Sequence, residues 1–216
     1  MKSILFVSLG LALAPMAFDA CCYGEDTESS GLGSYVFGGV GLAKNGANAK
    51  KDNQSVDNNR VPLSVMVGCG STYPFYQQLY WRPQLTVRFC KKRKVPGVLD
   101  RPVTLVAEDG TAFDCRVGVG IRREDNSSLY FSGGLNCDRA TLEIPQRGEL
   151  TTRRLLPIFG LGFWTQCNER WSTVGEVNYT KSGAASSDRY NLTKKWSLDA
   201  RFLLCRTIRM FAELEQ

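Results

Sequence analysis

The chain contains no histidine. That absence removes Ser-His-Asp and Cys-His nucleophile systems, imidazole general bases and most catalytic zinc sites. None of its eight cysteines falls in Cys-x-x-Cys zinc spacing. Beyond residue 20 no run approaches 18 uninterrupted apolar residues, which excludes a membrane-spanning helix in the mature protein. Long Leu/Ala/Glu helical periodicity is missing too. Charged residues make up 22% and the net charge is +6, so neither disorder nor nucleic-acid binding is indicated.

The 216 residues suffice for one domain, or one domain plus a tail, and 21 glycines with many aromatics favour an all-β chain. Residues 1–20 read as an export signal: Lys2 supplies the positive start, and Ile4 to Phe18 is an apolar run too short for a spanning helix. Phe18-Asp19-Ala20-Cys21 is a poor lipoprotein processing site. Cysteines in an exported chain imply an oxidising compartment. A polar linker, 21–33, follows.

The stretch Phe113-Asp114-Cys115-Arg116-Val117-Gly118-Val119-Gly120-Ile121 organises the rest. Its odd positions are apolar, and its even positions carry Asp, Arg and two glycines. Such alternation is a strand with one apolar and one polar face. Comparable strands are expected at Tyr35 to Ala43, Pro62 to Cys69, Leu79 to Cys90, Ser128 to Cys137, Leu155 to Gln166, Trp171 to Tyr179 and Trp196 to Leu204. Ten residues at about 3.3 Å rise and about 45° tilt cross roughly 23 Å, the height of an outer-membrane apolar band. The connections alternate long and short from first to last. The expected fold is therefore an all-β, eight-stranded antiparallel transmembrane β-barrel over residues 34–206, with 207–216 a tail or an extension of the last strand.

Parity then assigns the side chains. Arg82, Arg88, Asp114, Arg116, Glu176, Asp199 and Arg201 oppose the apolar face and are expected to form a salt-bridge network plugging the lumen. A catalytic pairing of Glu176 with Asp199 is disfavoured, because arginine neighbours hold both carboxylates ionised. No catalytic residue, metal or cofactor is expected. Tyr35, Trp81, Trp164 and Trp171 fall near the inner rim, and Phe89, Phe113, Tyr179 and Trp196 near the outer one, as two aromatic girdles. Cys90, Cys115 and Cys137 lie towards the outer rim, and Cys69, Cys167 and Cys205 towards the inner one. Disulfides within a rim, disulfides between molecules, and reduced thiols all remain open. Pro83 and Pro157 inside strands should mark bulges or rim positions.

With Tyr35-Val-Phe-Gly-Gly-Val-Gly-Leu42, Val174-Gly-Glu-Val-Asn-Tyr179, the strand count and the loop alternation, the chain resembles small eight-stranded outer-membrane barrels over roughly Gly33 to Cys205. These are the opacity-type surface antigens and the transmembrane domain of outer membrane protein A. Glu176 and Tyr179 are similar to the inward glutamate and outer-rim tyrosine of that family. Such barrels usually end on an aromatic residue, whereas this chain continues to Gln216. Its cysteine content resembles the disulfide-crosslinked envelopes of chlamydia-like bacteria.

The resemblance implies a bacterial outer-membrane location and a non-catalytic role in envelope structure, surface adhesion or antigen display. The four long connections, 44–60, 91–111, 138–154 and 180–195, carry 17 Lys and Arg against 9 Asp and Glu. Outer-membrane lipids are expected partners. Basic loops also favour lipopolysaccharide or host sulfated glycans, and the cysteines admit disulfide-linked envelope proteins. A soluble secreted or periplasmic barrel binding a small ligand is the competing reading. It needs an apolar interior, which the charged parity opposes, and the first strand lacks the Gly-x-Trp of lipocalins. A lipid-modifying barrel enzyme lacks its histidine, and the plug disfavours a pore.

Overall fold

The computed structural model describes residues 33–91, 93–107, 111–123, 126–146, 148–187 and 190–208. The signal segment and nearly all of the linker lie outside the described residues. Among the described residues fourteen strands follow one another: β1 (Ser34–Lys51), β2 (Gln54–Arg60), β3 (Leu63–Ser71), β4 (Tyr73–Tyr76), β5 (Leu79–Cys90), β6 (Arg93–Leu99) and β7 (Arg101–Ala107). The second half holds β8 (Thr111–Arg122), β9 (Ser127–Ile144), β10 (Gly148–Gln166), β11 (Trp171–Thr180), β12 (Gly183–Ser186), β13 (Asn191–Lys194) and β14 (Ser197–Ile208).

Eight of them close a ring. β1, β3, β5, β8, β9, β10, β11 and β14 each pair antiparallel with the next, and β14 returns to β1 through Ser34↔Ile208 to Lys44↔Leu198. β8 shows why the ring belongs in a bilayer. Phe113, Cys115, Val117, Val119 and Ile121 face out, while Ala112, Asp114, Arg116, Gly118 and Gly120 face in. β14 repeats the inversion, with Phe202 and Leu204 outside and Asp199 and Arg201 inside. An apolar band running round the whole barrel far exceeds any patch a soluble monomer exposes. It matches the lipid-facing surface of a transmembrane β-barrel. The same distribution overturns the soluble ligand-binding alternative, because the middle of the interior is packed with charged side chains and leaves no apolar ligand cavity.

The prolines sit where a missing N–H does least harm. On one side of β5 the ladder runs through Gly70↔Gln84 on β3 and resumes at Tyr73↔Trp81 on β4, leaving Pro83 opposite the gap. Pro157 lies one residue beyond the β10–β11 ladder, which starts at Ile158↔Thr180, and its carbonyl accepts from Lys181 N–H. The pairing of Pro83 with Val117 on the other side continues without a bulge.

The long connections differ from expectation. They are not loose polar loops: β1, β9 and β10 run past the barrel rim, and β2, β6, β7, β12 and β13 are added to them. Two four-stranded sheets result, β2-β1-β13-β12 and β10-β9-β7-β6. Between them lies a second hydrophobic core that includes Ala49, Val56, Leu105, Leu142 and Leu192. Val56 and Leu192 flank Ala49 in register on either side of β1. Val103 to Ala107 of β7 pair with β6, and Thr104 to Ala107 pair with β9 as well. The reason for the difference is compositional. Here the inward positions are small residues such as Ala47 and Ala49, separated by Asn and Lys, so the average hydropathy is polar although the alternation is that of a strand. Asp52 and Asp100 adopt φ of 50° and 55° at the hairpin tips, a conformation Asp tolerates well.

At the other rim the connections are short, at 77–78, 123–126 and 167–170. β14 continues to Ile208, so the last strand is longer than the expected end at Leu204. Residues 209–216 lie outside the described residues.

Candidate functional site: a charged lumen between two apolar layers

The interior is stratified. The head's core lies beyond the long-connection end, and the short-turn end is filled by an aromatic floor. Tyr35, Phe37, Met66, Tyr80, Tyr130 and Leu203 are among its members, with Trp164 packed against them. The charges lie between these layers.

β8 supplies Asp114 and Arg116, two residues apart and therefore on one face. The Arg116 guanidinium reaches Asp114 Oδ1 through Nε at 2.9 Å and Glu176 Oε2 through Nη2 at 2.9 Å, and donates from Nη1 to Asn178 Oδ1 at 2.7 Å. Asp114 Oδ2 lies 3.0 Å from Arg201 Nη1. Arg201 Nε lies 2.6 Å from Asp199 Oδ2, which Arg88 Nη1 approaches to 3.2 Å. Glu176, Arg116, Asp114, Arg201, Asp199 and Arg88 thus form one alternating chain of buried charges drawn from β11, β8, β14 and β5. Burying a charge is costly unless it is both paired and hydrogen-bonded. Tyr130 donates its hydroxyl proton to Glu176, and Asn178 Nδ2 donates to Glu176 Oε2 at 3.3 Å.

Arg82 stands apart. Its Nε donates to the Tyr35 hydroxyl, and its guanidinium lies 4.5 Å from the Tyr35 ring centroid and 4.9 Å from that of Tyr130. Two π faces hold this cation where the others have carboxylates.

Glycines make the floor fit. A Cβ on Gly120 would stand 2.3 Å from Tyr80 Cζ, and one on Gly162 would stand 2.2 Å from Tyr130 Cζ. Along the register, Tyr80, Gly120, Tyr130, Gly162, Glu176, Arg201 and Gly41 are successive partners. From Tyr80 to Glu176 large side chains thus alternate with none at all. The even-position glycines of the organising stretch carry this signal. They mark where a neighbouring strand projects a ring.

Six of the eight girdle residues face outwards: Trp81, Trp171, Phe89, Phe113, Tyr179 and Trp196. Lys44 Nζ sits 5.7 Å over the Trp196 ring, and Arg206 lies 5.8 Å over Trp171. Tyr35 and Trp164 are corrections to the expected girdle. Tyr35 is buried in the lumen, and Trp164 pairs with the inward Ser128 and Val174. Period two assigned Tyr35 no side, because its strand is apolar on both parities.

No disulfide joins any two of the six described cysteines. Cys69 and Cys115 face outwards in one row but are separated by Leu85 on the intervening strand, and Cys205 points into the lumen. A disulfide needs Cα atoms within about 7 Å on convergent vectors, which this row does not provide. Cys21 and Cys22 lie outside the described residues.

The fold and interior define a transmembrane β-barrel with a filled lumen and a β-structured head. No protein-family model matches the chain, and no curated protein matches it. Among solved structures, the attachment invasion locus protein Ail of Yersinia pestis, crystallised with the heparin analogue sucrose octasulfate, is similar at 14% identity. That match covers 79% of this chain and 97% of the other, with a TM-score of 0.43. Neisserial surface protein A is similar at 12% identity over 80% of this chain and 96% of its own, with a TM-score of 0.41. The Pseudomonas putida toluene transporter TodX is similar at 8% identity over 80% and 88%, with a TM-score of 0.29.

Proposed function

We propose that this chain is a non-catalytic bacterial outer-membrane barrel of the opacity-type or outer membrane protein A kind. It would serve envelope structure and surface adhesion through a rigid head. The observation that carries the reading is the head's own hydrophobic core above a lumen filled by paired charges. A protein built to conduct would keep its axis open, whereas this one packs the axis and spends its long connections on a folded platform.

The platform's surface supports an anionic partner. Lys51 pairs with Asp100, Lys94 with Glu143 at 2.9 Å, and Lys195 with Asp57 at 3.0 Å. Lys44, Lys50 and Lys181 are exposed cations in addition. Exposed basic charge attracts lipopolysaccharide phosphates or host sulfated glycans, with an affinity that falls as salt rises. Exposed Cys167, on a short turn facing the periplasm in this orientation, is the thiol best placed to link to another envelope protein.

The test combines three measurements on the refolded full chain. Boiled and unboiled samples should migrate differently on a gel. Planar bilayers containing the protein should show no steady conductance. Cells displaying it should bind immobilised sulfated glycan but not the desulfated form, in a salt-dependent way. Steady single-channel currents would overturn the plugged reading, and equal binding to both glycans would overturn the adhesive one.

A further inference from the structure

The outward face of β14 carries an apolar run bounded at each end by a ring and a cation. Leu198, Ala200, Phe202 and Leu204 face outwards along it. At the long-connection end Lys44 Nζ lies 5.7 Å over the Trp196 ring, and at the short-turn end Arg206 lies 5.8 Å over Trp171. Amphipathic rings and long cationic side chains collect where hydrocarbon gives way to headgroups. The two pairs therefore mark the two headgroup levels of this wall. With the short turns in the periplasm, the Lys44 and Trp196 level belongs to the outer leaflet.

Three adjacent strands build that upper level, with β14 between β11 and β1. Lys44, Leu198 and Tyr179 are successive register partners across them. The Tyr179 and Trp196 rings stack with centroids 6.3 Å apart. Beyond the pair Thr180↔Ser197, Lys181 and Trp196 are the next residues on the two chains. Lys44 and Lys181 are both exposed, on the strands to either side of Trp196. One step towards the bilayer centre, Leu42, Ala200 and Val177 form an outward apolar row in register.

Hydrocarbon contacts below, rings at the boundary and two cations above fit a lipid with an anionic headgroup. A zwitterionic headgroup brings an ammonium of its own, which two lysines repel. A phosphomonoester carries close to two negative charges at neutral pH and offers three acceptor oxygens. We propose that the β1–β14–β11 wall holds one lipopolysaccharide molecule. A phosphomonoester of its lipid A anchor sits between Lys44 and Lys181, and an acyl chain runs along Leu42, Ala200 and Val177. This site depends on the membrane reading of the wall and not on the adhesive reading of the head.

The test titrates the full chain, refolded in detergent, with purified lipid A and counts complexes by native mass spectrometry. The expected result is one lipid A per chain, with much weaker retention once its phosphates are removed. Lys44→Gln and Lys181→Gln should each weaken binding by about five-fold, whereas Lys50→Gln on the head should not. Equal retention of dephosphorylated lipid A, or unaltered affinity in the Lys44→Gln/Lys181→Gln double variant, overturns the site. So does complete displacement by inorganic phosphate, which would make the acyl contacts dispensable. The variants should keep the mobility difference between boiled and unboiled samples, which separates a lost site from a lost barrel. An unaltered chain without that difference overturns the membrane reading and the site with it.

Discussion

Arg116 Nη2 lies 2.9 Å from Glu176 Oε2, with each side chain 1% exposed, across the lumen from β8 to β11. The pair joins strands that are not neighbours in the ring, so it ties opposite walls together. Breaking a buried pair from one side leaves an uncompensated charge and typically costs about 3–5 kcal/mol. Arg116→Met is expected to lose stability on that scale. Arg116→Met with Glu176→Gln should recover part of it. Urea unfolding of the four proteins in a double-mutant cycle reads the coupling. Additive losses would show that the pair contributes no coupling.

A Cβ on Gly120 would meet the hydroxyl end of the Tyr80 ring, and one on Gly175 would meet nothing within 4 Å. Gly120→Ala is expected to destabilise by about 1–3 kcal/mol through overpacking, whereas Gly175→Ala should be near neutral. Tyr80→Leu should partly rescue Gly120→Ala. Equal effects at the two glycines, measured by the same unfolding assay, would contradict the packing described.

Val117 faces outwards midway along β8 and is 47% exposed. Arginine on a lipid-facing position near the bilayer midplane costs about 2–4 kcal/mol. Val117→Arg should therefore refold poorly into vesicles and be tolerated better in detergent. Full refolding yield in vesicles would remove this face from the hydrocarbon.

Two head carboxylates give the molecule a defined acid response. The Asn48 hydrogen bond, with Lys195 beside it, holds Asp57 below its ordinary value, and the hydrogen bond from Lys51, aided by Tyr190, does the same for Asp100. A carboxyl depressed in the folded state stabilises fully above its unfolded value and loses that contribution as pH falls through the folded one. The head should therefore weaken below about pH 4, with the thermal midpoint falling further on acidification in the unaltered protein than in Asp57→Asn/Asp100→Asn. A matching pH slope in both would contradict it.

Single-cysteine variants should separate the thiols by location. Cys167 is exposed at a short turn, and Cys205 is 1% exposed in the lumen. A water-soluble maleimide should label Cys167 in the folded protein and Cys205 only after unfolding. Rapid labelling of folded Cys205 would mean that the lumen is open to solvent.

The barrel wall was legible because period two is a local property. Asp114, Arg116, Asp199 and Arg201 declare their side through their apolar neighbours, and Trp81 and Trp171 do the same on the outer face. The aromatic floor was less legible. Tyr35 lies in a strand apolar on both parities, and Trp164 shares its parity with Ile158 while Leu161 and Phe163 are apolar on the other. The head was misread as loop because Ala47, Ala49 and Val56 are small and spaced by polar residues, so each connection looked hydrophilic on average.

Local alternation alone determined the eight spanning strands, the facing of those whose two parities differ, and the charges assigned to the axis, because a strand's two faces follow from its own order of residues. Only the tertiary structure decided which arginine met which carboxylate, that Arg82 lies between two tyrosine rings, and that Leu105, Leu142 and Leu192 share a core. Those outcomes depend on ring closure and shear, which bring together segments far apart in the chain. No pattern within a single segment encodes them.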